Sequence, residues 1–118
     1  MSAAQFDFEI QQGATLPLEF SWEDVNEVPL SLTGYSIAMQ VRPYPGSTRL
    51  FLEASTTNGL ITLGDQVGRF KLLLPKTLTR AQTWAKGKYD VVLTSPSGFV
   101  TRILQGTVTV SKRVTRDE

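Results

Sequence analysis

Asp7 and Glu9 stand two positions apart, a spacing that puts both carboxylates on one side of an extended strand. Such a pair has the composition of a glycosidase site, where one carboxyl protonates and the other attacks or activates water. A second acidic group, Glu23, Asp24, Asn26 and Glu27, has oxygen donors suited to a hard cation such as calcium. Both have a plainer reading. Asp7 and Glu9 alternate with apolar residues, so their side of the strand is expected to face water. The second group lacks the glycine and the distal glutamate of a known calcium loop and is expected to be an ordinary polar loop.

The remaining chemistry is limited by what the chain lacks. It contains no histidine and no cysteine. The usual general base near neutral pH is therefore missing, along with the thiolate nucleophile, disulfides and most zinc chemistry. Its serines and threonines form no nucleophile-elbow sequence, and no glycine-rich phosphate loop is present. The expectation is a protein that is not an enzyme and needs no cofactor or metal. With 12 Lys and Arg against 11 Asp and Glu, the net charge is +1, too balanced to draw in nucleic acid.

The aromatics need a separate reading. Trp22, Tyr35, Tyr44, Trp84 and Tyr89 would bind sugar rings if they lined up on one sheet face. Trp22, Trp84 and Tyr89 are better explained as core or core margin. Tyr44 lies between Pro43 and Pro45 in a loop, where an aromatic either packs locally or is exposed to meet a partner. Tyr44 and Pro45 are candidate assembly contacts. So are Arg113, Val114 and Arg116, which lie in a charged C-terminal tail beginning at about residue 111 and suited to extend onto a neighbour.

What must position these residues is a set of strands. Hydrophobicity alternates with a period of two at Phe6, Phe8 and Ile10, then at Leu16, Leu18 and Phe20, with Trp22 on the same side. Pro17 removes a ladder donor, so this strand is expected at an edge or with a local interruption. Further strands are expected at 35–42, 49–54, 60–63, 69–74, 88–94 and 99–110. Breakers separate them: Pro43 to Ser47, Thr56-Thr57-Asn58-Gly59, Gly64 to Gly68, and Ser95-Pro96-Ser97-Gly98. Gly106, inside the last strand, signals a bulge or a close backbone approach. One short helix is expected near 77–85, capped by Thr77, with Leu78, Ala81 and Trp84 inward and Gly87 ending it.

This pattern describes a single all-β domain spanning 1–118, an immunoglobulin-like β-sandwich of about eight strands. No stretch approaches the roughly 20 apolar residues that cross a bilayer. The start of the sequence has no signal-peptide pattern, so synthesis in the cytoplasm without membrane insertion is expected.

The segments Leu30-Ser31-Leu32-Thr33-Gly34-Tyr35 and Ala38-Met39-Gln40-Val41-Arg42 are followed by Gly87-Lys88-Tyr89-Asp90-Val91-Val92-Leu93, Ser97-Gly98 and Arg102-Ile103-Leu104-Gln105-Gly106-Thr107-Val108. In this order and spacing, over about residues 5–116, the chain resembles small phage and prophage structural proteins. It is similar to the immunoglobulin-like N-terminal domain of siphophage baseplate upper proteins. The resemblance implies a virion component that contacts other phage structural proteins and self-associates into a symmetric oligomer. It supplies no catalytic residues. Within its 118 residues the sequence holds no helix bundle or receptor-binding platform of the kind found in baseplate upper proteins. A tail, baseplate or tail-fibre adaptor subunit is the leading expectation. A capsid decoration protein is the alternative in the same class, and a carbohydrate-binding adhesion module the alternative of another class.

Overall fold

The computed structural model describes residues 4–64 and 66–114. The chain is an all-β sandwich of two sheets around one core. Its elements are β1 (Ala4–Gln5), β2 (Phe8–Gln11), β3 (Leu16–Ser21), β4 (Ser36–Arg42), β5 (Leu52–Ser55), β6 (Ile61–Leu63), β7 (Arg69–Leu74), α1 (Lys76–Arg80), β8 (Lys86–Thr94) and β9 (Val100–Ser111). The larger sheet has the order β1-β9-β8-β4-β5, with β2 also on β9, and the smaller has the order β3-β7-β6.

The strands form where period-two patterning lets one face bury itself. Ile37, Met39 and Val41 of β4 are buried, as are Phe70, Leu72 and Leu74 of β7, and the residues between them stay wetter. Val91, Leu93, Ile10 and Val108 complete the layer from the larger sheet. β3 is an edge strand and tolerates Pro17, opposite Leu73, because only one of its sides is bonded. A chain of rings closes the gap between the sheets. Phe6 meets Phe20 edge-on at 5.8 Å, Phe20 lies 5.3 Å from Phe70, and Phe8 meets Tyr89 at 5.0 Å.

The first strand departs from its expected form. Phe8 and Ile10 are buried, but Phe6 is 39% exposed. The strand is split into β1 and β2, both parallel to β9, which raises the count among the described residues to nine. The split falls at Asp7, whose carboxylate accepts the Thr107 amide at 2.9 Å in place of a ladder bond. Gly106 explains why the chain can bend there. A Cβ on it would lie 2.0 Å from the Phe6 carbonyl oxygen. The Tyr89 hydroxyl donates to that same carbonyl. Gly106 therefore marks a close backbone approach. The β8–β9 register shift falls at Val91/Val92 instead.

The helix is shorter than expected. Pro75 is the N-cap at φ −69°, and no side chain caps the helix, so Thr77 lies within the first turn. Ala81 is exposed, and Gly87 belongs to β8 rather than ending α1. Thr79 and Gln82 are the residues that go inside, at 0% and 6% exposure. Thr79 Oγ1 donates to the Ala14 carbonyl at 2.9 Å and accepts the Gly13 amide at 3.2 Å. Gln82 donates to the Leu78 carbonyl and accepts the Trp84 indole N–H, while its own carbonyl accepts from Gln12. This polar plug ties α1 to the turn between β2 and β3. Thr79→Val keeps the shape and strips out the hydroxyl, leaving the Gly13 amide without its acceptor. A loss of about 1–3 kcal/mol in urea unfolding is expected, the usual penalty for orphaned buried partners.

The strand expected from Arg49 begins at Leu52. Phe51 instead turns its ring onto Trp84, stacked at 4.7 Å and 8°, with Arg49 above it at 5.1 Å. No helix among the described residues is long and apolar enough to cross a membrane.

Candidate assembly surfaces

The sandwich presents two outer sheet faces and two loop ends. On the larger sheet, the residues between the buried ones of β4, β8 and β9 form a polar face. Gln40, Arg42, Lys88, Asp90, Arg102 and Gln105 line an open cleft of about 380 Å³. Its groups bond mostly among themselves. Arg42 donates to Gln40 Oε1 at 2.8 Å, and Gln40 donates to Glu53 at 2.7 Å. Lys88 donates to Thr107 Oγ1 at 2.9 Å, and Arg102 lies 3.8 Å from Asp90. On the smaller sheet Arg69 bridges to Glu19 at 3.0 Å. Such exposed pairs each contribute little stability, about 0–1 kcal/mol. They leave both faces of mixed sign.

The acidic groups singled out in the sequence have structural tasks. Asp24 Oδ1 accepts the Asn26 and Val28 amides at 2.8 and 3.0 Å, which closes the loop over Glu27, whose φ is +64°. Asp7 and Glu9 are both exposed. Asp7 bonds Thr107 and Gln5, whereas the partner of Glu9 is Gln11. No group of three or more Asp and Glu among the described residues is arranged to hold a metal ion.

The bond from the Thr107 amide, helped by that from Gln5, holds the Asp7 carboxyl below its ordinary value of 3.8. A depressed folded value means the stabilisation is complete above 3.8 and is lost as pH falls through the folded value. Asp7→Asn keeps an acceptor oxygen and removes the charge. At neutral pH the wild type is expected to unfold at higher urea than this variant. The two midpoints should converge as pH drops below 3.8. Burial pushes the Tyr89 hydroxyl in the opposite direction, so it remains a donor to Phe6.

The aromatics divide as the strand pattern implies. Tyr89 is buried, and Trp22 and Trp84 pack against the core as partly buried rings. Tyr44 is 61% exposed, and Pro45 beside it is exposed too. At the same end of the sandwich, Arg113 is half-buried, its amide donating to Gln12 Oε1 at 3.3 Å. Val114 is 95% exposed. β9 runs to Ser111, whose carbonyl accepts the Gln12 amide, and Lys112 and Arg113 continue along the turn after β2. Arg116 lies outside the described residues. Tyr44 and Arg113 follow β4 and β9, with β8 between them, so these candidates share an end without forming one patch.

Sequence reading missed the opposite end. Phe99 is 74% exposed in the β8–β9 turn, and Val25, Val28 and Val67 stand out from neighbouring loops at 81%, 52% and 62%. The valines lie in polar loops and Phe99 reads as the start of the last strand, and only the topology brings them to the same end. In comparisons with known proteins, no family model and no curated protein matches the chain.

Proposed function

We propose that this chain is a non-enzymatic structural component of a bacteriophage virion, a tail, baseplate or tail-fibre adaptor subunit acting through protein–protein contacts. The observation that carries the assembly reading is where the large apolar side chains are exposed. Phe99 and Tyr44, at 74% and 61%, stand at opposite ends of the sandwich and are more exposed than Leu63 and Leu73 on the smaller sheet, at 45% and 50%. Isolated exposed apolar residues are ordinary, but aromatics offered from loops on a rigid frame are what interfaces use.

The strand order supports the finer reading. β2-β9-β8-β4-β5 facing β3-β7-β6, with a short helix joining β7 to β8, is a strand order that supports an immunoglobulin-like reading of the sandwich. That is the fold implied by the resemblance to phage baseplate proteins. A sugar-binding module would need a row of aromatics on one sheet face. Here Trp22 packs on Tyr35 at 5.5 Å and Trp84 on Phe51, which ranks that reading lower. Capsid decoration stays within the same class and uses the same surfaces. The test is protein mass spectrometry of density-purified particles from a culture producing the phage. The chain is expected at a fixed ratio to tail proteins; a ratio fixed to the shell protein selects decoration, and absence from particles overturns the virion reading.

A further inference from the structure

The two ends of the sandwich carry opposite charge. One end is built from loop 22–35, residues 66–68 and turn 95–99, which are in mutual contact. The Trp22 amide donates to the Gly68 carbonyl at 2.7 Å, and a Cβ on Gly34 would lie 2.8 Å from Pro96. The charged groups described there are Glu23, Asp24 and Glu27, and these segments contain no lysine or arginine. Among the carboxylates stand Val25, Val28, Val67 and Phe99, all more than half exposed.

The opposite end is built from loop 43–51, segment 75–85 and residues 112–114. The Phe51–Trp84 stack joins the first two, and Gln12 links Gln82 to Arg113. It carries Arg49, Lys76, Arg80, Lys112 and Arg113, with no carboxylate in these segments. Tyr44 and Leu50 are its exposed apolar residues, at 61% and 43%.

We propose that the acidic end of one copy docks on the basic end of a second copy, head to tail. Contact between like ends sets carboxylate against carboxylate or cation against cation. Contact between unlike ends pairs the charges and brings Phe99 and the valines against Tyr44 and Leu50. The apolar residues supply affinity, and the charges set orientation and encounter rate. The sheet faces carry mixed signs and give no such directional preference. A head-to-tail contact is heterologous, so it closes into a ring or continues as a filament. The inference deepens the assembly reading above and rests on it.

The test uses two full-length variants and sedimentation velocity at low ionic strength. Glu23→Lys with Asn26→Lys and Glu27→Lys sets three cations against Asp24 and makes both ends cationic; Asp24 is left in place because it holds its loop. Lys76→Glu with Arg80→Glu and Lys112→Glu leaves that end three carboxylates against Arg49 and Arg113, so both ends are anionic. Each variant alone is expected to sediment near the monomer mass of 13.1 kDa, while the wild type is larger. An equimolar mixture of the two should recover association, because every cationic end then meets an anionic one. Wild-type association should also weaken at about 1 M salt, where the screening length is about 3 Å. This salt series reads the contact even if a variant fails to fold. A monomeric wild type, single variants of wild-type size, a monomeric mixture of folded variants, or salt-insensitive association overturns the proposal. A chain absent from particles but showing the mixing rescue fails the virion reading alone.

Discussion

Gly106→Ala is expected to lower the melting temperature by about 10–15 °C, corresponding to roughly 2–3 kcal/mol for forcing an atom into a packed backbone contact. The added methyl would sit 2.0 Å from the Phe6 carbonyl oxygen, and its immediate neighbours are main-chain atoms and the Asp7 carboxylate. Relief requires moving the chain between β1 and β2 away from β9. That movement breaks the Tyr89 bond to Phe6 and the Thr107 bond to Asp7 together. Hydrogen exchange should therefore accelerate first at the Phe6 amide, which bonds the Gln105 carbonyl, and along β2, while the β4 amides stay protected. Full stability in the alanine variant would show that β1 does not lie on β9 in this way.

Phe70→Ala should cost about 3–5 kcal/mol, the usual range for removing a buried aromatic ring. Phe70 is 1% exposed and lies opposite Phe20 in the smaller sheet, where it continues the ring chain to Phe6. Total stabilities of domains are only about 5–15 kcal/mol, so the variant is expected to be partly unfolded at 37 °C. Phe70→Leu retains much of the volume and should lose well under half as much. Urea unfolding of the three proteins side by side checks both magnitudes, and an alanine variant within 1 kcal/mol of wild type would contradict this core.

The strands were legible because a sheet with one wet face writes its geometry into alternate residues. Ile37, Met39 and Val41, like Phe70, Leu72 and Leu74, could be read inward from sequence and are inward. Pro17 signalled an edge or an interruption, since its missing donor must fall where no ladder bond is needed, and β3 proves to be an edge. The helix was misread because its inward residues are polar. Thr79 and Gln82 are buried by partners 65 or more residues away in the turn after β2, a relation no local pattern contains. Phe6 was misread because alternation continues through Asp7, while the bend there depends on Gly106, a hundred positions downstream.

The candidate contacts show the same limit. Tyr44 was identifiable from its flanking prolines, and it is exposed. Phe99 and the three valines were not, because Phe99 reads as the start of the last strand and the valines are spread through polar loops. The charge separation is likewise spread over distant segments, with Glu23 to Glu27 at one end and Arg49, Lys76 and Arg80 at the other. It becomes a directional property only once the strand order places those segments.

An assembly subunit that works by contact between its own ends should not remain single in solution. The most direct measurement is the absolute mass of the unmodified protein, by light scattering behind a sizing column at low salt over a range of concentrations. The account predicts a discrete multiple of 13.1 kDa, or a series of multiples growing with concentration. A constant 13.1 kDa at every concentration would contradict it.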